Sequence, residues 1–255
     1  FMAWLRSRDA VGTIRAVRWA LEAGYRHIDT AKLYGNEVEV GKAVRQSGVP
    51  REEVFVTTKL WNSDHGYDQA LRAFDESLRK LDLGYIDLYL IHWPVSRQRD
   101  ESWRALQTLL ATDQCRAIGV SNYTIQHLEE LLSWADVAPA VNQVEFSPYL
   151  YQEDLLAYCR EHEIQLEAYS PLTKGRMLDD PPLVAVAEKY DKSPAQILIR
   201  WALQHRVVVI PKSATKEHIR ANADVFDFEI APEDMARLDE LDRNLRVSWD
   251  PSDIA

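Results

Sequence analysis

The stretch GYRHIDTAKLYGNE, residues 24–37, places Asp29 shortly before Tyr34, where a strand-like run gives way to a turn. Two later runs lead into an ionisable residue in the same manner: VFVTT (54–58) into Lys59 and IDLYLI (86–91) into His92. A carboxylate, a phenol, an ammonium and an imidazole are the parts of a proton-delivery site. A phenol with a pKa of about 10 is a poor acid near neutrality, but an adjacent ammonium favours the phenolate and lowers that value. Asp29 would hold Lys59 in place, and His92 would donate to the same substrate oxygen that Tyr34 protonates. Taken singly, each reads as a turn former, a solvated cation or a satisfied rim residue. The chemistry therefore depends on a fold that brings them together.

Short apolar or β-branched runs alternate with helical patterns along the chain. Strands are expected at 1–4, 26–30, 54–58, 86–91, 116–120, 140–146, 164–169 and 207–210. Apolar residues at helical spacing mark 14–24, 67–81, 125–135, 153–163, 183–190 and 194–204. Ser193 can cap the helix that Pro194 opens, Pro232 can open a helix over 233–241, and Gly24 follows the end of another. This alternation predicts an α/β fold in one domain over 1–255, a (β/α)8 TIM barrel with an extra helix and a C-terminal tail. No GxGxxG occurs, which argues against a doubly wound dinucleotide fold. In such a barrel the C-terminal strand ends converge on one face, so Asp29, Lys59 and His92 would be desolvated together beneath Tyr34.

A chain of 255 residues with 46% hydrophobic content can bury the core such a barrel needs. Its formal charge of −10 and pI near 5.2 disfavour nucleic acid or an anionic membrane surface as partner. Cys115 and Cys159 lack metal or redox spacing and read as reduced thiols of a cytoplasmic protein. No apolar run reaches membrane-spanning length, and the FMAWLRSRD start lacks the features of a secretory leader.

GYRHIDTAKLYGNE, VFVTTKLWN, IDLYLIHWP, AIGVSNY, VNQVEFSPY, AYSPL and IPKSATKEHIRAN, in that order and covering nearly the whole chain, resemble the aldo-keto reductase family, in its bacterial and protozoal type. The resemblance implies a barrel that binds nicotinamide dinucleotide without a Rossmann fold and reduces an aldehyde or ketone to an alcohol. The family's Asp, Tyr, Lys and His tetrad falls on Asp29, Tyr34, Lys59 and His92. The resemblance further implies that Ser121, Asn122 and Gln143 hold the nicotinamide carboxamide and that Tyr169 stacks under its ring. Ser170 and Leu172 would line the pyrophosphate passage, Lys212, Ser213 and Thr215 would meet the phosphate of the adenosine half, and Asn222 the adenine. Trp4, Trp61 and Trp93 would wall the substrate pocket, and the family is mostly monomeric. Specificity is expected in SRQRDESW, TKGRMLDDPP and the tail NLRVSWDPSDIA.

Two departures bear on these expectations. His218 stands where the family has an Arg that packs on adenine and pairs with the 2′-phosphate, and Ala221 where it has a Glu. An imidazole is only partly charged at neutral pH and lacks the bidentate fork of a guanidinium. Lys212 and Ser213 still favour NADPH, and NADH is the alternative that His218 leaves open. The sequence also opens at FMAW where the family has an N-terminal hairpin, so either the hairpin precedes this stretch or the barrel floor would be unusually open. Two rival readings remain: a metal-dependent hydrolase built on the His27 and Asp29 pair, and a regulatory protein that binds the cofactor without turnover. Further metal ligands are lacking at the strands ending in Ser121 and Tyr169, and the intact tetrad speaks against the second rival.

Overall fold

The computed structural model describes residues 1–3, 9–95, 98–112, 114–252 and 254. Seven parallel strands form one sheet: β1 (His27–Asp29), β2 (Phe55–Leu60), β3 (Ile86–Ile91), β4 (Cys115–Ser121), β5 (Val141–Glu145), β6 (Gln165–Tyr169) and β7 (Val208–Val209). Each strand pairs with its successor in the chain, with Asp29 opposite Thr57, Lys59 opposite Leu90 and Gln143 opposite Glu167. The ten α-helices before, between and after them are α1 (Ala10–Glu22), α2 (Glu37–Arg45), α3 (Tyr67–Leu81), α4 (Arg99–Leu110), α5 (Ile125–Leu132), α6 (Glu153–Glu161), α7 (Pro181–Lys189), α8 (Pro194–Gln204), α9 (Lys216–Ala223) and α10 (Pro232–Asp239), counted among the described residues.

The apolar runs become the central strands because both of their faces are covered. All six residues of β3 are buried. Their side chains meet helices outside and one another inside, as in parallel sheets generally. Phe74 of α3 packs edge-on against Tyr89 of β3 at 5.1 Å between ring centres, joining a helix to its strand. Truncating a buried ring of this kind to alanine costs about 3–5 kcal/mol. At α8, Ser193 and Gln196 form a reciprocal capping box and Pro194 occupies the first turn. Gly41 of α2 sits against α3 so closely that a Cβ there would lie 1.9 Å from the Leu81 carbonyl oxygen.

Several sequence expectations shift. The segment expected as a first strand at 1–4 is represented by a single bridge, Met2 to Asp29, and Trp4 lies outside the described residues. Met2 N donates to Pro211 O at 3.3 Å and Ala3 N to Asp29 O at 2.7 Å, so this segment bonds to the chain beyond β7 and to β1. Phe1 O also accepts from Asp29 N at 2.9 Å. The helix expected at 14–24 begins at Ala10, where Asp9 accepts from Gly12 N at 2.7 Å. No helix among the described residues is long and apolar enough to cross a membrane.

Candidate active site

At the end of β1 and within β2, Asp29 and Lys59 are fully buried against each other. Lys59 Nζ donates to Asp29 Oδ1 at 2.6 Å, to Asp29 Oδ2 at 2.7 Å and to Thr30 O at 2.8 Å. An ammonium and a carboxylate both cut off from water are held there only because every strong donor direction finds an oxygen. The same ammonium lies 5.1 Å from the centre of the Tyr34 ring. Tyr34 ends a single 3₁₀ turn, Lys32–Tyr34, which stops at Gly35 in the left-handed region (φ 65°). That turn is fixed from both sides: Thr30 Oγ1 donates to Asn36 Oδ1 at 2.6 Å, and Asn36 Nδ2 donates to Ala3 O at 2.7 Å. His92, directly after β3, stands edge-on to Tyr34 at 5.9 Å and to Trp61 at 5.2 Å. The structure thus brings the four residues together.

Their protonation differs from the sequence expectation in one respect. Burial, with the Asp29 carboxylate adding to it, pushes the Tyr34 hydroxyl well above its ordinary value rather than lowering it. The Lys59 charge is matched by Asp29 at hydrogen-bond distance, so little of it is left to favour a phenolate. His92 is pushed well below its ordinary value by burial and then by Lys59, and is held neutral. Lys32 is drawn to Asp64 at 2.9 Å and Glu76 at 3.1 Å. His27 bonds through Nε2 to Thr57 Oγ1 at 2.9 Å.

A cavity of about 360 Å3 opens above this cluster, with Tyr34, His92, Ser121, Asn122, Gln143, Tyr169 and Ser170 in its wall. The polar groups are mutually ordered. Ser121 Oγ donates to Gln143 O at 2.7 Å, Asn122 Nδ2 to His92 O at 3.0 Å, and Tyr169 OH to Asn122 Oδ1 at 2.8 Å. Asn122 and Ser170 adopt left-handed backbone (φ 64° and 49°), each just past a strand end. Trp93 joins the wall and lies 5.6 Å from Trp249, while Trp61 touches His92 without lining the cavity. Leu172 packs on the core instead. Lys212, Ser213, Thr215, His218 and Asn222 follow β7 and enter α9; Ser213 and Asn222 are buried, the other three exposed, and none lines this cavity.

Further contributors were not singled out from sequence. Glu145, at the end of β5, accepts from Val247 N at 2.7 Å and Ser248 N at 3.0 Å, and Lys174 donates to Val247 O. These contacts bring Val247, Ser248 and Trp249 of the tail into the cavity wall. Glu167 of β6 is buried beside Gln143, and burial, then the Asp29 charge, raises its pKa to about 8. Strand alternation was the available signal, because Gln143 and Glu145, and Glu167 and Tyr169, are two apart and share a face. No group of three or more His, Cys, Asp or Glu side chains is placed to hold a metal ion among the described residues.

The model of the aldo/keto reductase family matches residues 6–243. A glyoxal reductase of Bacillus subtilis is 51% identical over 239 residues, covering 94% of this chain and 87% of that protein. Among solved structures, an aldo-keto reductase from a Medee basin deep-sea metagenome library superposes with a TM-score of 0.95 at 45% identity, covering 98% of this chain and 93% of the other. A Bombyx mori aldo-keto reductase in complex with NADP gives 0.89 at 41% identity, covering 96% and 87%.

Proposed function

The chain belongs to the aldo/keto reductase family, and we propose that Asp29, Tyr34, Lys59 and His92 are its reducing centre. It is an oxidoreductase that converts an aldehyde or ketone to an alcohol with a nicotinamide cofactor. The observation that carries the residue assignment is the fully buried Lys59–Asp29 contact against the Tyr34 ring, with His92 beside it on the same cavity. Tyr34, protonated in its buried setting, donates its proton to the substrate oxygen. The neutral His92 imidazole donates an N–H to that oxygen and orients the carbonyl. Lys59 offsets the negative charge left on Tyr34, and Asp29 holds Lys59 under the ring.

The cavity's donor set fits a nicotinamide: an aromatic face from Tyr169, and amide and hydroxyl groups from Gln143, Asn122 and Ser121 arranged around it. The cofactor supplies the hydride when bound. In this reading Ser170 and Leu172 flank the pyrophosphate, Asn222 meets the adenine, and Lys212, Ser213, Thr215 and His218 face the phosphate of the adenosine half. NADPH is the preferred cofactor, supported by Lys212, which is exposed and makes no ion pair among the described residues. His218 in place of the family Arg keeps NADH as the alternative. Trp93, Trp249 and Leu33 wall the outer cavity for the substrate, and 2-oxoaldehydes, aromatic aldehydes, keto esters and keto sugars form the panel to assay.

The same reading takes the sheet as a closed eight-strand barrel in a single domain over 1–255, with residues 1–3 in the place of its first strand. The hydrogen bonds of Met2 and Ala3 to both sheet edges support it. A monomer in a reducing, cytoplasmic setting completes it, supported by the free and buried Cys115 and Cys159. Tyr34→Phe tests the chemistry. Carbonyl-dependent NADPH oxidation is expected to fall by roughly 10²- to 10⁴-fold, the contribution of a positioned acid, while NADPH binding followed by fluorescence is retained. Turnover at the wild-type rate would remove Tyr34 from the mechanism.

A further inference from the structure

One buried carboxylate bonded to the cavity-wall residue Gln143 has no part in the scheme above. Glu167 lies opposite Gln143 in the β5–β6 register. Gln143 Nε2 is 2.8 Å from Asp29 Oδ2 and 2.8 Å from Glu167 Oε1. The amide NH2 therefore gives one hydrogen to each carboxyl group, and its carbonyl oxygen is the end left to accept. Turned the other way, the amide would press that oxygen against the Asp29 carboxylate. Asp29 alone would fix one hydrogen and leave the second buried without an acceptor, which a freely turning amide would relieve by leaving its position.

We propose that Glu167 is a positioning residue for hydride transfer, holding Gln143 so that its carbonyl oxygen accepts from the carboxamide NH2 of the nicotinamide. This rests on the reading of Gln143 as the carboxamide contact. Asp29 then has two duties, as anchor of Lys59 on one side and of Gln143 on the other. Glu167 completes the second without touching substrate or cofactor. The proton-donating side and the hydride-presenting side of the site are thereby joined through one chain, Lys59–Asp29–Gln143–Glu167.

The test measures NADPH affinity by fluorescence titration and the single-turnover hydride rate with a saturating aldehyde. Glu167→Leu is expected to weaken NADPH binding and to slow hydride transfer, each by roughly tenfold, the scale of a misplaced contact in a reacting complex. Glu167→Gln, which keeps a carbonyl acceptor, should stay within about twofold of the wild type. Added to Gln143→Ala, Glu167→Leu should cost nothing more, because the group it positions is gone. Removing a desolvated acid beside Asp29 is not expected to unfold the chain, and Glu167→Ala serves as a second variant if Leu does not fit. Wild-type affinity and rate in Glu167→Leu, or an undiminished loss in the Gln143→Ala background, would overturn the proposal. Wild-type affinity in Gln143→Ala alone would instead overturn the underlying assignment of Gln143.

Discussion

Lys59 spends its three hydrogens on Asp29 and Thr30, and that expenditure explains why the sequence expectation for Tyr34 had the wrong sign. Residue types at strand ends made Asp29, Tyr34, Lys59 and His92 legible as a group. They did not reveal that the ammonium is neutralised by its own anchor, leaving burial to dominate the phenol. Glu167 was equally hidden, because a Glu within IQLEAY reads as an edge or rim residue until the register sets it opposite Gln143. The same scale carries a cofactor test. His218 is exposed on α9, and an imidazole cannot offer the planar two-point contact of a guanidinium to a phosphate. His218→Arg should raise the ratio of kcat/KM with NADPH to that with NADH by about tenfold, the value of one added charge-assisted contact at an exposed site. An unchanged ratio would mean that Lys212 and Ser213 already determine phosphate recognition.

Among the elements, those with a single strong pattern were the ones legible in sequence. β3 is a mostly apolar run interrupted only by Asp87 and α3 a long amphipathic one, and both occupy the expected residues. α2 was missed because EVEVGKAVR alternates like a strand, and its helical form follows from packing of Gly41 on α3. The tail was legible only as a place where specificity would reside. What shapes it is a charge at another element's end: the Glu145 carboxylate accepts two successive tail amides, while Lys174 takes the Val247 carbonyl. Burial raises the Glu145 pKa, and the two amides counter this by favouring its charged form. Glu145→Ala releases both amides and loosens the wall formed by Val247, Ser248 and Trp249. Substrate KM should rise by roughly threefold to tenfold, in line with the loss of charge-assisted hydrogen bonds partly replaced by water. Steady-state kinetics across the carbonyl panel would show it, and a KM unchanged for every substrate would separate the tail from substrate binding.

At the scale of the whole molecule, the repeated strand-and-helix alternation was enough to anticipate the parallel order of the sheet, whereas the pairing of residues 1–3 with both sheet edges depends on backbone bonds that no sequence pattern encodes. Packing a polar site inside such a sheet also gives the fold a pH dependence. His27, His65 and His92 are buried and held neutral, His65 down to about 4, in each case first by burial. Above the ordinary histidine value near 6.5 they are neutral in folded and unfolded chains alike and contribute nothing. Below it the unfolded chain takes up protons that the folded one refuses, so stability falls as pH falls, by about 1.4 kcal/mol per pH unit for each proton. Glu167 has the opposite sign: with its pKa raised, its stabilising contribution is complete below its ordinary carboxylate value and is lost as pH rises through about 8. Between pH 6.5 and about 5 the Glu167 contribution therefore opposes those of the buried histidines. Urea unfolding should show stability decreasing over that interval, with a slope steeper by about 1.4 kcal/mol per pH unit in Glu167→Gln, where the opposing group no longer titrates. Equal slopes in the two proteins would show that Glu167 is ionised in the folded state.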